Sequence, residues 1–165
     1  MTTDRYTTAI ATPTHHDPTQ IETVLARLVP RYIRPQKTNA ELQAIREAGL
    51  AAAISRTPRP RIGIYTMVQA HQDPAVRLAI ARGVAVRTGW LVERAPAVDF
   101  TGMTDPVTRP QLARLLDALD HDEIDGIAAM SRTDISDLNG DYEDVLQRIH
   151  ARRGFLALAT TETDI

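Results

Sequence analysis

The chain has 165 residues, a formal net charge of −2 and 43% hydrophobic residues, a composition typical of a soluble globular protein with a sizeable core. It contains no cysteine, which excludes disulfides, thiol chemistry and cysteine-ligated zinc. No apolar run approaches the ~20 residues of a membrane span, and the N-terminus lacks a signal pattern. We therefore expect a cytoplasmic protein that does not act at a membrane. Its slight negative charge argues against binding nucleic acid mainly through phosphates.

The N-terminal third differs in pattern from the rest of the chain. Residues 1–16 are rich in threonine and lack apolar periodicity, which predicts a mobile tail. Residues 17–58 have helical patterns, and the prolines at 58 and 60 end them because proline cannot continue a helix. We therefore expect a two-helix extension over 17–58, followed by a separate domain over 61–165.

Capping signals place the two helices of this extension. The first is predicted to begin after Asp17, a good N-cap, and to end at Pro30. The second is predicted to begin with the capping box of Thr38 and Glu41 and to reach about Ser55. The first helix carries one apolar stripe, which we expect to pack on the following domain or to mediate self-association: Ile21, Val24, Leu25 and Leu28.

Positive charge is concentrated near the extension. Residues 1–60 contain eight basic and five acidic side chains. One hypothesis is a small surface that contacts nucleic-acid phosphates. A solvated linker explains the same residues without a ligand, and we favour it. The candidate contacts are Arg27, Arg31, Arg34 and Lys37.

Residues 61–165 alternate between strand and helix patterns. Short apolar, β-rich runs predict four strands, at 61–68, 90–94, 124–130 and 155–159. Apolar residues at helical spacing lie between them. This order predicts a mostly parallel four-stranded sheet with helices on both faces. The clearest helical stripes are Leu112, Leu115, Leu116 and Leu119, then Tyr142, Val145, Leu146 and Ile149.

Three acidic residues lie in the loops where a ligand of such a sheet would bind. Ligands of open parallel sheets bind beyond the carboxyl ends of the strands, and Asp99, Asp134 and Asp137 follow predicted strands there. Carboxylates could hold a divalent cation or a cationic small molecule. The same residues also suit turns and the N-termini of the following helices. The sequence leaves both interpretations open.

Several short motifs occur in the order known from one family. They are the first strand 61–68, the Gly89-Trp90 turn, Asp99 with Thr101-Gly102, Arg109-Pro110-Gln111-Leu112, Ile124-Asp125-Gly126-Ile127 and Glu162-Thr163-Asp164. Through this ordered set, residues 61–164 resemble the catalytic domain of the serine recombinases, the resolvase/invertase family. The resemblance implies a resolvase-like fold for this part of the chain.

The resemblance also implies a DNA-cleaving chemistry whose groups are missing here. Members of that family cut DNA through a serine that forms a phosphoserine link, and arginines neutralise the phosphate. In this sequence Gln69 stands at the nucleophile position and Met67 at that of the preceding arginine. Two later arginine positions carry Asp134 and Asp137. The implied degenerate pocket consists of Met67, Gln69, Asp99, Arg109, Asp134 and Asp137, of which Asp99 and Arg109 match the family pattern.

We therefore predict a catalytically inactive recombinase-like protein without a cofactor or metal. It would be regulatory or partner-binding in a DNA-recombination or mobile-element context, with another recombinase-like protein or a second copy as partner. Direct DNA binding would be weak or absent. The alternatives are a metal-binding or small-molecule-binding protein that has reused the pocket, and a weak DNA-binding module that uses the basic N-terminal segment.

Overall fold

The computed structural model describes residues 35–100 and 106–163. Its helices are α1 (Asn39–Arg56), α2 (Ala75–Thr88), α3 (Pro110–Asp120) and α4 (Asn139–Ala151), and its strands are β1 (Arg61–Met67), β2 (Leu91–Val92), β3 (Ala97–Asp99), β4 (Gly126–Ala129) and β5 (Phe155–Leu158). The predicted tail over 1–16, the first predicted helix, and Arg27, Arg31 and Arg34 lie outside the described residues.

The five strands form one parallel sheet around β1. Its order is β2-β1-β4-β5, and every pairing is parallel. The fifth strand, β3, corrects the prediction of four. It pairs with the last three residues of β1, with Asp99 opposite Met67. The two-residue β2 pairs only with the start of β1 and leaves this later stretch of the strand free. A strand of three residues is too short to show the alternation that predicts strands.

Side chains of the sheet alternate between two hydrophobic cores, which confirms that both faces are covered. Ile62 and Ile64 of β1 join α2 in one core. Tyr65 points to the other face, where it packs with α3 and α4. The four leucines of the predicted stripe in α3 and the four apolar residues of the stripe in α4 are all buried. The side chains that alternate along the strands thus pack against the apolar faces of the helices on both sides of the sheet.

Helix α1 belongs to the α/β unit, which corrects the predicted boundary at residues 58–60. The compact unit begins at Gln36, and α1 packs against β5 and α4. Leu42 lies in the core shared with α3 and α4, whereas Ala53 lies in the core shared with α2. The helix therefore lies along the edge strand β5 and contributes to both cores. The prolines end the helix but do not separate it from the sheet.

Helix ends follow the predicted capping signals. Thr38 and Glu41 form the reciprocal capping box of α1. Helix α2 ends at Gly89, whose φ of 72° is left-handed, a conformation that glycine adopts without strain. None of the helices in the described part of the chain is long and apolar enough to cross a membrane.

Candidate functional site

Asp134 is fully buried and binds the end of β1. Its Oδ1 accepts hydrogen bonds from the Thr66 hydroxyl at 2.7 Å and the Met67 backbone N–H at 3.0 Å. Its Oδ2 accepts from the Ser131 N–H at 3.0 Å, which closes the 3-10 turn Arg132–Asp134 that follows β4. Asp134 thus joins β1 to the loop after β4 and presents no carboxylate to solvent, in contrast to the open acidic pocket that the sequence suggested.

Arg77 of α2 neutralises this buried carboxylate. Its Nε lies 3.2 Å from Asp134 Oδ1, and its Nη2 lies 3.1 Å from Oδ2. The Arg77 side chain is 30% exposed, so the ion pair forms at the boundary between core and solvent. Sequence reasoning missed Arg77 because it sought charged partners in loops. Its position in the first turn of the helix after β1 was the available signal.

Asp99 caps the helix that follows it. Its Oδ1 accepts from the backbone N–H of Gln111 at 3.1 Å, and its Oδ2 accepts from that of Leu112 at 3.0 Å. These N–H groups belong to the first turn of α3, which has no intrahelical acceptor for them, and a negative charge is stabilised there. The Tyr65 hydroxyl also donates to Asp99, at 3.1 Å. The geometry therefore supports the capping interpretation of Asp99.

Arg109 is a buried side chain that binds the loop after β4. It is only 2% exposed, and its Nη1 donates to the backbone carbonyls of Asp134 at 2.8 Å and Ile135 at 2.7 Å. Burial raises the pKa of Tyr65, and the neighbouring Arg109 guanidinium opposes that rise. Tyr65 therefore remains a neutral phenol that donates to Asp99. Through its hydrogen bonds to the loop after β4, Arg109 connects the start of α3 to the core.

Of the other predicted site residues, Met67 adjoins this cluster, whereas Gln69 and Asp137 lie further out. Met67 is half-buried at the end of β1, and Gln69 is exposed in the turn beyond it, where its backbone N–H donates to the side chain of Gln72. Asp137 has an exposed side chain, and its backbone carbonyl accepts from Arg132 at 3.0 Å. The strand register and these contacts bring together Met67, Asp99, Arg109 and Asp134.

The geometry does not support a metal site formed by these carboxylates. Within residues 35–100 and 106–163, no three acidic or histidine side chains lie close enough to hold an ion. Asp99 and Asp134 already accept N–H donors on both oxygens. A cation would have to displace these hydrogen bonds, which hold a helix N-terminus and a strand end.

A second buried ion pair attaches α1 beyond the end of β5. Arg46 binds Glu162 through both carboxylate oxygens, at 2.7 and 3.0 Å, and the Tyr142 hydroxyl donates to the same carboxylate at 2.7 Å. Burial alone would raise the pKa of Glu162, but the hydrogen bonds from Arg46 and Tyr142 hold it below its usual value. The motif comparison found Glu162, whereas Arg46 was missed because it lies 116 residues earlier in the chain.

Two further basic residues are paired within the fold. Arg132 lies over the Tyr142 ring, 5.0 Å from its centroid, and donates to the Asn39 side chain at 2.7 Å. Lys37, one of the predicted nucleic-acid contacts, forms an ion pair with Glu143 at 2.6 Å. Its charge is therefore largely compensated by a neighbour on α4.

Solved structures provide the comparison for this arrangement. The chain is similar to the C-terminal catalytic domain of ISC1926 TnpA, an IS607-like serine recombinase, with 14% identity over 62% of this chain and 69% of that one and a TM-score of 0.54. It is also similar to the N-terminal catalytic domain of TP901-1 integrase, with 18% identity over 64% of this chain and 80% of that one and a TM-score of 0.53.

These similarities show a fold like that of serine recombinase catalytic domains, which confirms the predicted fold. No protein family matches the chain at the level of sequence, and no curated protein matches it either. At such low identity the chemistry of the two structures does not transfer with the fold. It has to be judged from the residues described above.

Proposed function

We propose that this chain is a catalytically inactive, recombinase-like protein that acts through a partner in a DNA-recombination or mobile-element context. The observation that carries the proposal is the buried Asp134 carboxylate. It lies where the resemblance implies a phosphate-binding arginine, and it is bound to β1 through Thr66 and Met67. A transferring phosphoryl group needs positive charge around it, and this carboxylate cannot supply it.

The position of the implied nucleophile supports the same proposal. Gln69 is exposed at the end of β1, and its carboxamide cannot form a covalent phosphoester. The neighbouring cations Arg77 and Arg109 bind Asp134 and the carbonyls of the following turn. An incoming phosphate would have to compete with these internal acceptors for each guanidinium.

The direct test is incubation of the full chain with supercoiled plasmid DNA. We expect neither nicked DNA nor a covalent protein–DNA product. A Gln69→Ser variant is the informative companion, because it restores the hydroxyl without the phosphate-binding charges, and we expect it to be inert as well. A covalent adduct from the natural chain would refute the proposal, and one from the variant alone would show that only the nucleophile was lost.

The remaining hypotheses can be separated by binding measurements. If the basic N-terminal segment binds DNA, fluorescence polarisation with a labelled duplex should show affinity that falls steeply between 50 and 200 mM salt, by orders of magnitude for about six or more phosphate contacts. We expect weak or no binding, because Lys37 is already paired. If the chain binds divalent cations, its melting temperature should rise with their concentration, and we expect no rise.

A further inference from the structure

Helix α2 has an apolar face that the other described residues, 35–100 and 106–163, do not cover. Its inner face, with Ala81, Val84 and Ala85, is buried. On the outer face, Val76 is 68% exposed and Val86 is 71% exposed, with Ile80 at 38%. At about 100° per residue, these three branched side chains lie within an arc of about 120°. Exposed branched side chains gathered on one side of a helix in this way, forming a strip with Val76, Ile80 and Val86 along it, are a candidate interaction surface.

The charges along this strip have opposite signs at its two ends. Asp73 precedes α2 and is exposed, while Arg87 lies in the last turn and is exposed. The Arg87 guanidinium lies on the apolar face, since a side-chain carbon added at Gly83 would come within 3.2 Å of Arg87 Nη1. The face is therefore apolar along its middle, acidic at its start and basic at its end.

We propose that this face of α2 binds the same face of a second copy of the chain, with the two helices antiparallel. A two-fold axis on the exposed face, level with residue 81 along the helix, brings Val76 opposite Val86 of the other copy, and it brings Asp73 opposite Arg87 within the reach of an arginine side chain. The contact is self-complementary, as a two-fold interface requires. Parallel packing would instead place like charges together at both ends.

The size of the face determines the expected strength of this dimer. One pair of helices, each 14 residues long, buries less surface than the ~1,600 Å² of a standard stable interface. We therefore expect the dimer to have a dissociation constant in the micromolar range and to exchange its copies rapidly. This self-association is independent of the proposed lack of DNA cleavage, which a different experiment tests.

Because the chain contains no cysteine, single cysteines can report the orientation directly. Val76→Cys and Val86→Cys proteins, one of them carrying a tag, are mixed in equal amounts and oxidised. The antiparallel arrangement predicts mixed disulfides well above the half expected from random pairing, whereas the Gln147→Cys control on the exposed surface of α4 should give little dimer. Random proportions, or an excess of like-with-like disulfides, would overturn the proposal.

A charge exchange gives a second, independent readout. Arg87→Asp and Asp73→Arg each place like charges in contact twice per dimer, and we expect each to weaken dimerisation roughly tenfold in sedimentation equilibrium. The double variant Asp73→Arg with Arg87→Asp should recover most of the loss. Failure of the double variant to recover, or a natural chain that remains monomeric at several hundred micromolar, contradicts the antiparallel dimer.

Discussion

Replacing Asp134 by alanine would leave several donors without an acceptor in the interior. The Thr66 hydroxyl and the backbone N–H groups of Met67 and Ser131 would lose their partner, and Arg77 would lose its counter-charge. Breaking a buried ion pair by removing one partner typically costs about 3–5 kcal/mol. Because Arg77 is 30% exposed and can be hydrated by water, we expect about 3 kcal/mol, near the lower end.

Urea unfolding, followed by circular dichroism, measures this loss as a fall in the free energy of unfolding. Asp137→Ala is the matched control, because it removes the same chemical group from an exposed side chain three residues away, where a change within about 0.5 kcal/mol is expected. If Asp134→Ala costs less than about 1 kcal/mol, or no more than the control, Asp134 does not hold β1 to the loop after β4. The structural account of the site would then be refuted.

Three further predictions concern the contacts of α1 and α4. Glu162→Ala should cost about 3–5 kcal/mol in urea unfolding because it leaves buried Arg46 with only the more distant, exposed Glu47 as a counter-charge, and a cost below 1 kcal/mol would contradict the buried pair. Burial lowers the pKa of His150 below its ordinary 6.5, so the unfolded chain binds a proton at this residue more readily than the folded protein does. The free energy of unfolding should therefore carry no penalty from His150 above about pH 6.5, and it should fall as the pH drops below that value. His150→Gln should remove that part of the pH dependence. If the variant shows the same dependence of unfolding free energy on pH, His150 is not its source. Gly49→Ala, normally favourable by about 1 kcal/mol within a helix, should instead destabilise the protein, because its side-chain carbon would overlap the His150 ring; a raised melting temperature would show that the ring moves aside without cost.

The local patterns of the sequence predicted most of the secondary structure. The stripes beginning at Leu112 and Tyr142 lie on the buried faces of α3 and α4, and Thr38 and Gly89 mark helix ends as predicted. These signals depend on residues within one or two turns of each other. The same reasoning missed β3, because that strand exists only through its pairing with the uncovered end of β1.

The candidate site shows the corresponding limit for function. The resemblance predicted a common site for Asp99, Arg109 and Asp134, and the strand register and hydrogen bonds bring these residues together beyond the end of β1. What each carboxylate binds was not visible. Asp134 is neutralised by Arg77, which lies 57 residues earlier in the chain.

The sequence by itself therefore predicted four of the five strands in their order, the helices between them and the helix ends at Thr38 and Gly89, because each depends on the chemistry of neighbouring residues. Only the tertiary structure decided that α1 belongs to the α/β unit, that Asp99 and Asp134 hold the fold together, and that one face of α2 is exposed among the residues the structure describes. Those properties depend on which distant side chains meet once both faces of the sheet are packed, and a linear pattern does not record such contacts.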